Sequence, residues 1–397
     1  MTDSLDAIAA GHLCLDIIPD LSASEPEQFR RAFVPGRLVQ VGDADFCTGG
    51  AVSNVGLGLH KLGIRTQLMG KVGDDTFGRV IRQFVEAHGP GLAGGMVVDS
   101  AASTSYTLVI NPPGIDRFFL HFPGANDTFG AADVRYDLLR GARLFHFGYP
   151  PIMRLMYEDG GAQLVEVLRR AKATGVTTSL DTSLPDPASP AGRADWVAIL
   201  EAALPHTDIF LPSVEEILFM LRRSLFDRLK GQAGGGDILS LITPQLLSDL
   251  GQAMLDMGVT IAGLKLGERG LYLCTGGRAA VAGLGRAAPA APAAWADREL
   301  WSPCFRVDAV GTAGAGDATI AGFLAALLRG LGPEAAVNAA VAVGACNVEA
   351  ADTLSGIRSW EETMARMAGG WAKRRLSLEA AGWLHDEPWG LWVGPAG

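Results

Sequence analysis

The stretch Gly311-Thr312-Ala313-Gly314-Ala315-Gly316-Asp317 runs directly into a strongly apolar segment, residues 318–328. Glycines let a backbone bend sharply and approach a ligand closely. The first N–H groups of the helix predicted for the apolar segment lack intrahelical partners, and with the helix dipole they form an anion site. Asp317 lies at that helix start, where it can accept a proton. A base beside an oxyanion cradle is what phosphoryl transfer to an alcohol requires.

Other Gly-rich motifs fit this stretch less well. No Gly-Lys-Ser/Thr follows it, which excludes a Walker A loop, and its late position and glycine spacing disfavour a dinucleotide-binding fold. The sequence also lacks the catalytic-loop pattern of protein kinases and the G-x-S-x-G elbow of many hydrolases. A structural interpretation stays open, in which Asp317 only caps a helix and the glycines only form a turn.

Strand-like and helix-like patterns alternate along most of the chain. Residues 7–18 predict one buried strand, residues 52–62 a helix and residues 66–72 a second strand. Further helices are predicted at residues 77–88, 161–174 and 196–204, and further strands at residues 144–147, 176–180 and 208–211. This alternation indicates parallel βαβ units with right-handed crossovers, so the predicted fold class is α/β, as a three-layer sandwich.

A few segments depart from this alternation. Residues 33–46 and 103–122 are rich in β-branched and aromatic residues and predict short strands that pair as an accessory sheet. The Gly-rich residues 231–237 and the Ala/Pro-rich residues 279–296 indicate insertions, and we expect the second to form a surface loop. The tail from Trp371 onward contains three further tryptophans, and we expect it to pack on the surface of the main domain.

The composition indicates a folded, acidic protein. Hydrophobic residues make up 48% of the 397 residues and charged residues 19%, which allows a sizeable core and excludes global disorder. The formal net charge of -10 disfavours a general nucleic-acid binder. The longest apolar run is too short to cross a bilayer and no signal-peptide pattern is evident, so we expect a cytoplasmic protein that does not bind membranes.

Cysteine and histidine spacing gives no sign of a metal site. The sequence has five scattered cysteines, Cys14, Cys47, Cys274, Cys304 and Cys346. No pair has C-x-x-C spacing, so neither a disulfide framework nor a zinc site is expected. His12, His121 and His146 lack ligand spacing such as H-E-x-x-H, and we predict that they are core or turn residues.

Several blocks make the sequence resemble the ribokinase-like (PfkB) carbohydrate kinases. Gly314-Ala315-Gly316-Asp317 matches the G-A-G-D core of the family's second signature, and Gly49-Gly50-Ala51-Val52-Ser53-Asn54 resembles the first signature. Further blocks follow in the family's order, and the similarity extends from about residue 7 to residue 360. The resemblance implies a single domain over residues 1–397, with a mostly parallel central sheet flanked by helices and a small β lid.

The same resemblance implies where the accessory segments lie. The lid would comprise about residues 17–47 and 103–123, the insertions about residues 225–240 and 277–300, and a C-terminal extension about residues 371–397. The implied reaction is ATP-dependent phosphorylation of a hydroxyl group on a sugar or sugar-like molecule. Asp317 would be the general base, and the backbone amides of Gly314, Ala315 and Gly316 would form the anion hole.

The resemblance also implies which residues bind the ligands. The implied substrate contacts are Asp16, Gly49, Gly50, Asn54 and Asn126. The implied nucleotide contacts are Ser213, Lys265, Gly267, Gly270 and Asn347, and Glu216 would hold Mg²⁺ through water. Ser213 replaces the family's usual Asn. Gly311 replaces an aspartate that helps to bind a monovalent cation, which leaves a dependence on K⁺ open.

Simpler roles for these side chains remain open. Asp16 ends the first predicted strand, where ligand contacts are common in parallel sheets but turn residues also occur. Asn54 and Asn126 could be a first-turn helix residue and a turn former. Glu216 could be a solvated helix residue, and Lys265 a surface charge at a strand end.

Two functional alternatives accompany the sugar kinase. One is a nucleoside or other polyol kinase of the same fold, and the other is a non-catalytic protein that senses sugars or nucleotides. An intact Asp317 favours catalysis because a sensor needs no base. We therefore expect a small sugar or polyol, ATP and Mg²⁺ as partners. A homodimer through the lid is a further expectation, since lids of this family often pair across a dimer.

Overall fold

Residues 7–18, predicted as one strand, form two strands in different sheets. The computed structural model describes residues 5–22, 35–36, 38–112, 118–378 and 380–395. Residues Ala7–Gly11 lie in the central sheet, whereas Cys14–Pro19 belong to a second, smaller sheet. The chain bends at Gly11, whose φ is 120°. The single-strand prediction is therefore wrong, because a continuous apolar run does not reveal where a chain leaves one sheet for another.

The strands of the described residues form three sheets. In chain order they are β1 (Ala7–Gly11), β2 (Cys14–Pro19), β3 (Ala44–Gly49), β4 (Thr66–Met69), β5 (Lys71–Gly73), β6 (Val97–Asp99), β7 (Tyr106–Ile110), β8 (Phe118–Phe122), β9 (Leu144–Gly148), β10 (Thr177–Leu180), β11 (Ile209–Phe210), β12 (Ile261–Lys265), β13 (Leu271–Thr275), β14 (Glu299–Ser302), β15 (Leu384–Asp386) and β16 (Leu391–Val393). The strand predicted at residues 66–72 is divided into β4 and β5, which lie in different sheets.

The α-helices follow most of the predicted helical patterns. They are α1 (Ala51–Lys61), α2 (Thr76–His88), α3 (Tyr136–Leu139), α4 (Ala162–Ala173), α5 (Trp196–Ala203), α6 (Val214–Leu221), α7 (Arg223–Gln232), α8 (Pro244–Asp256), α9 (Arg278–Ala282), α10 (Pro292–Trp295), α11 (Ala315–Leu328), α12 (Pro333–Asn347) and α13 (Trp360–Ala368). No helix of the described residues is both long enough and apolar enough to cross a membrane.

The central sheet confirms the predicted α/β architecture. Its strand order is β15-β16-β14-β13-β12-β11-β10-β9-β1-β4. The strands from β4 to β12 in this order pair in parallel, and the remaining pairs towards β15 are antiparallel. The carboxyl ends of the parallel strands therefore meet at one edge of the sheet, where ligands bind in open α/β folds.

Helices cover the sheet on both faces and complete three layers. On one face, α4, α5 and α8 contribute Leu164, Ile199 and Leu247 to a buried cluster. On the other face, α1 and α11 contribute Val55 and Phe323 to a second cluster. Neighbouring strand residues alternate between the two clusters, as the two-residue period of a strand requires. The predicted three-layer α/β/α sandwich is thus confirmed.

A four-stranded sheet with the order β3-β2-β7-β8 forms the accessory sheet predicted from the aromatic segments. Strand β2 pairs in an antiparallel manner with β3 and in parallel with β7, and β7 pairs in an antiparallel manner with β8. The predicted segments 17–47 and 103–123 also include residues 23–34, 37 and 113–117, which lie outside the described residues. We call this four-stranded sheet the lid.

One sequence expectation about an accessory segment is wrong, and a second is incomplete. Residues 279–296 do not form a simple surface loop, because α9 and α10 fold there and Trp295 is buried against Phe323 with ring centroids 6.1 Å apart. The tail does more than pack on the surface, since β16 pairs with β14 and extends the central sheet. Trp383 anchors this extension and lies 6.2 Å from the ring of Trp301.

Candidate active site

Asp317 lies in the first turn of α11 and is almost fully buried. The Asn54 amide nitrogen donates a hydrogen bond to its Oδ2 at 2.8 Å. The hydroxyl of Tyr149 lies 2.8 Å from both carboxylate oxygens. Asn54 belongs to α1, which follows the Gly-Gly pair of the first signature. The two signatures, far apart in sequence, therefore meet at one carboxylate.

Burial governs the electrostatics of Asp317. It raises the pKa of the carboxyl group above the ordinary value, while the hydrogen bond from Asn54, the charge of Lys265 and the hydrogen bond from Tyr149 oppose that rise. Tyr149 remains a donor, because burial and the charge of Asp317 hold its own pKa well above the ordinary value. A carboxylate with a raised pKa is a stronger proton acceptor than a solvated one, which suits a general base.

Gly314 makes the sharp entry into α11. Its φ is 70°, in the left-handed region, and an added Cβ would lie 2.9 Å from Cβ of Thr353. Both observations require glycine at this position. The Asn347 amide nitrogen donates to the carbonyl of Ala313 at 2.8 Å and so holds the turn from behind.

The amides of the turn differ in availability. The N–H of Ala315 donates to the carbonyl of Thr312 at 3.3 Å, which makes a weak turn contact. Among the described residues, no acceptor bonds the N–H groups of Gly316 or Asp317. The sequence predicted an anion hole from the amides of residues 314–316. Of these, the amides of Gly314 and Gly316 have no acceptor among the described residues, and the amide of Asp317 is available as well.

A cavity of about 560 Å³ opens in front of Asp317. Its size lies within the usual range for small-molecule sites. It is lined by residues from the carboxyl ends of several strands and from the Gly-rich turn, among them Tyr149, Thr182, Ser213, Glu216, Lys265, Gly267, Gly270, Thr312, Gly314, Ala315, Gly316, Asp317 and Arg374. The predicted catalytic residues and most predicted nucleotide contacts therefore surround one cavity.

Lys265 supplies positive charge beside the available amides. A Cβ on Gly316 would lie 3.6 Å from Cδ of Lys265, so the lysine side chain passes over the start of α11. The Lys265 amino group is 3.7 Å from Oδ2 of Asp181, which is fully buried. This position makes Lys265 more than a surface charge, because an ammonium group beside free N–H groups strengthens an anion site.

Ser213 and Glu216 form the N-terminal cap of α6. The Ser213 hydroxyl accepts from the Glu216 N–H, and Glu216 Oε2 accepts from the Ser213 N–H at 2.7 Å. The hydroxyl of Thr182 donates to the same Oε2 at 3.0 Å. These hydrogen bonds hold the Glu216 side chain in place at the cavity wall, so Glu216 is not an ordinary solvated helix residue.

Sequence reasoning missed Tyr149 and Asp181. Tyr149 directly follows β9 and Asp181 directly follows β10, so both lie at the carboxyl edge of the parallel sheet. Tyr149 adopts a left-handed φ of 66°, which is uncommon for a residue other than glycine. Burial raises the pKa of Asp181 well above its ordinary value, and Lys265 opposes this rise. The rule that ligands bind beyond the strand ends could have identified both positions.

The predicted substrate contacts lie on the lid side of Asp317. Asp16 is in β2 of the lid and not at the end of a central strand, as the sequence had suggested. A Cβ on Gly49 would lie 2.2 Å from Asp16 Oδ2, and one on Gly50 would lie 2.5 Å from the His12 carbonyl. Because glycine has no Cβ, Gly49 can lie against the Asp16 carboxylate and Gly50 against the His12 carbonyl.

Two predicted ligand contacts have other roles in this structure. Asn126 is fully buried, and its amide group both accepts from the Leu13 N–H and donates to the Leu13 carbonyl. Because these contacts occupy its side chain, Asn126 positions the bend between β1 and β2, and its geometry does not support a direct substrate contact. Asn347 is not among the residues that line the cavity.

Two solved structures share the fold of this chain. The Arabidopsis thaliana ribokinase complexed with ribose and ATP aligns over 91% of this chain and 98% of its own, at 17% identity and a TM-score of 0.66. A fructokinase with bound ATP from Xylella fastidiosa aligns over 91% of this chain and 98% of its own, at 20% identity and a TM-score of 0.66. At these identities the likeness shows the ribokinase fold.

A comparison of the sequence with family models identifies the family. The model of the pfkB family carbohydrate kinases matches residues 12–360, so the chain belongs to this family. Fructokinase-2 of Oryza sativa subsp. japonica is 27% identical over 215 residues, which are 54% of this chain and 59% of the rice protein. The chain thus matches less than two thirds of the length of that curated relative.

Proposed function

We propose that this chain transfers the γ-phosphoryl group of ATP to a hydroxyl group of a sugar or sugar-like small molecule. The observation that carries the proposal is the place of Asp317, a buried carboxylate at a helix start with free amides, facing a cavity of about 560 Å³. Family membership and two neighbours named as ATP complexes support the nucleotide.

The acceptor would lie between the lid and Asp317. Asn54 donates to Asp317 while its own Oδ1 is buried and has no hydrogen-bond partner among the described residues. A buried amide oxygen of this kind is costly unless a ligand donates to it. A substrate hydroxyl placed there would donate to Asn54, while the neighbouring acceptor hydroxyl would donate to Asp317 and a further hydroxyl would lie within reach of Asp16.

The reaction then follows from the residues present. Asp317 takes the proton of the acceptor hydroxyl as its oxygen attacks the γ-phosphorus. The N–H groups of Gly316 and Asp317 and the ammonium group of Lys265 offset the negative charge that develops on the phosphoryl oxygens. Closure of the lid would exclude water and so limit ATP hydrolysis.

The donor set fits Mg²⁺, which prefers carboxylate and water oxygens. Glu216 lines the cavity, and its charge together with that of Asp317 helps to raise the pKa of Asp181. A divalent cation near these carboxylates would relieve their mutual repulsion. Glu216 and Asp181 would hold it, mostly through water, and when bound it would neutralise phosphate charge.

A substrate panel tests the proposal. The native chain and Asp317→Asn are incubated with ATP and Mg²⁺ together with fructose, ribose, other sugars and nucleosides, and phosphorylated product is measured by mass spectrometry. We expect product with at least one sugar for the native chain, formed at least about 100-fold more slowly by the variant. Ligand binding without product in both proteins would instead identify a sensor, and turnover restricted to nucleosides would identify a nucleoside kinase.

A further inference from the structure

Two histidines and a cysteine meet where the lid joins the central sheet. His12 lies between β1 and β2, Cys14 begins β2, and His121 lies in β8. One ligand atom from each of them lies within 4.8 Å of the other two. His12 and Cys14 are buried. The spacing-based expectation that the sequence holds no zinc site overlooked this cluster, because its members come from separate strands.

The strand register explains how the cluster forms. Asp16 in β2 is opposite Thr107 in β7, and Thr107 is opposite His121 in β8. Residues opposite each other point to the same face of a sheet. Cys14 lies on that face as well, two residues before Asp16. The lid thus presents these side chains as a row facing His12.

The two histidines have the separation of metal ligands. His12 Nε2 and His121 Nε2 are 3.4 Å apart. In a tetrahedral site with Zn–N bonds of about 2.0–2.1 Å, two ligating nitrogens are separated by about 3.4 Å. Without a cation between them, the two nitrogens share at most one proton, and Nδ1 of His12 is buried and has no partner among the described residues.

Thr107 is placed to hold His121 in the tautomer that a metal needs. Its hydroxyl lies 3.5 Å from the Cys14 sulfur and 3.0 Å from Nδ1 of His121. When Cys14 is the thiolate that ligates a metal, the hydroxyl donates its one proton to the sulfur and its oxygen accepts the Nδ1 proton. The lone pair of His121 is then on Nε2, which faces His12. Such hydrogen bonds to the far nitrogen are typical of metal-ligating histidines.

Asp16 lies next to this donor set. Its Oδ1 is 3.2 Å from the Cys14 sulfur. It is not one of the three residues whose ligand atoms all lie within 4.8 Å of one another, so its side chain must turn to become the fourth ligand. Two imidazoles, a thiolate and a carboxylate suit a borderline-soft divalent ion such as Zn²⁺ rather than Mg²⁺. Binding would release the Cys14 proton to solvent, because only the thiolate ligates a metal.

We propose that His12, Cys14 and His121 bind Zn²⁺ or a similar transition-metal ion, with Asp16 turning to become the fourth ligand. The metal would join strand β8 to the segment between β1 and β2 and would occupy Asp16. If Asp16 contacts the sugar, as the proposed function holds, then metal and sugar exclude each other, and Zn²⁺ inhibits the enzyme. Metal binding itself does not depend on kinase activity.

Titration with Co²⁺ and Zn²⁺ tests the site. The reduced, metal-free full chain is titrated with Co²⁺ while absorption is recorded, and its Zn²⁺ affinity is measured by competition with a chelating dye. We expect one Co²⁺ per chain, with a four-coordinate visible spectrum and a thiolate charge-transfer band that Cys14→Ser removes. His121→Ala should weaken Zn²⁺ binding by more than about tenfold, and the isosteric Thr107→Val by about 10–100-fold.

Matched variants control for unrelated thiols and histidines. Cys47→Ser, next to Asp16, and His385→Ala, in β15, should leave Zn²⁺ affinity unchanged. Circular dichroism melts establish that each variant is folded. Absence of stoichiometric binding, or binding that survives both Cys14→Ser and His121→Ala, overturns the site. A sugar substrate that binds without displacing the metal overturns the mutual exclusion, and neither result depends on turnover.

Discussion

At the scale of the residue, one carboxylate organises the site. Asp317 is buried, which raises its pKa, yet two donors from different elements stabilise its charged form. Asn54 could be assigned from the sequence because it lies in a signature motif. Tyr149 could not, because its importance depends on the turn after β9, which brings its hydroxyl within 2.8 Å of both oxygens of Asp317.

Tyr149→Phe tests how the pKa of the base is set. The Tyr149 hydroxyl donates to the charged carboxylate and so lowers its pKa, and its removal should raise that pKa further. The base must be unprotonated to act, so the acid limb of the pH profile of kcat/KM should move to higher pH. The control is Tyr157→Phe, a partly exposed tyrosine whose removal should leave the limb in place. An unmoved limb in Tyr149→Phe would contradict the assigned role.

At the scale of the element, the start of α11 determines where the free amides point. The apolar segment and its glycines were enough to predict this helix. The sequence could not show that the Ala315 amide is turned towards Thr312, because that contact depends on the left-handed backbone of Gly314. Similarly, nothing in residues 7–18 shows the bend at Gly11 that carries Asp16 into the lid.

Substitutions at the two ends of α11 separate backbone strain from catalysis. Gly314 and Gly330 both have left-handed φ angles, of 70° and 78°. Alanine at Gly330 should cost about 1–2 kcal/mol of unfolding free energy, and alanine at Gly314 should cost more. A Cβ at Gly330 meets no atom within 4 Å, whereas at Gly314 it meets Thr353. Of the two variants, only Gly314→Ala should lower kcat by more than about tenfold. Both variants are assayed under conditions in which they are folded.

Two measurements on these variants distinguish general strain in α11 from a specific effect on catalysis. Urea unfolding gives the two stability losses, and steady-state kinetics gives the two kcat values. If Gly330→Ala lowers kcat as much as Gly314→Ala, the loss reflects general strain in α11. The proposed role of the Gly314 turn in aiming the amides would then be wrong.

At the scale of the whole molecule, the C-terminal extension reaches the cavity. The amino group of Lys373 bonds Ser302 Oγ at 2.8 Å, Asn338 Oδ1 at 2.6 Å and the Gly390 carbonyl at 3.0 Å. These contacts fix the next residue, Arg374, which lines the cavity and pairs with Glu268. The tryptophans of the tail indicated packing, but a sequence cannot show that an arginine far beyond the Gly-rich turn reaches the same cavity.

Arg374→Ala measures what the extension contributes. A guanidinium group at the cavity wall favours a polyanion, and an exposed charge contact of about 1 kcal/mol corresponds to about fivefold in affinity. We therefore expect KM for ATP to rise about fivefold while KM for the acceptor stays unchanged. Arg375→Ala is the matched control, since Arg375 lines a neighbouring surface pocket instead. Equal KM values for ATP in the two variants would show that Arg374 does not meet the nucleotide.

The most direct measurement is the phosphoryl-transfer rate of Asp317→Asn in a single turnover with the sugar that the panel identifies. Proton abstraction by a positioned base contributes about 10²–10⁴-fold to rate, so we predict a loss of that size while calorimetry shows unchanged binding of ATP and sugar. A rate close to that of the native chain, with both ligands bound, would contradict the assignment of Asp317 as the base.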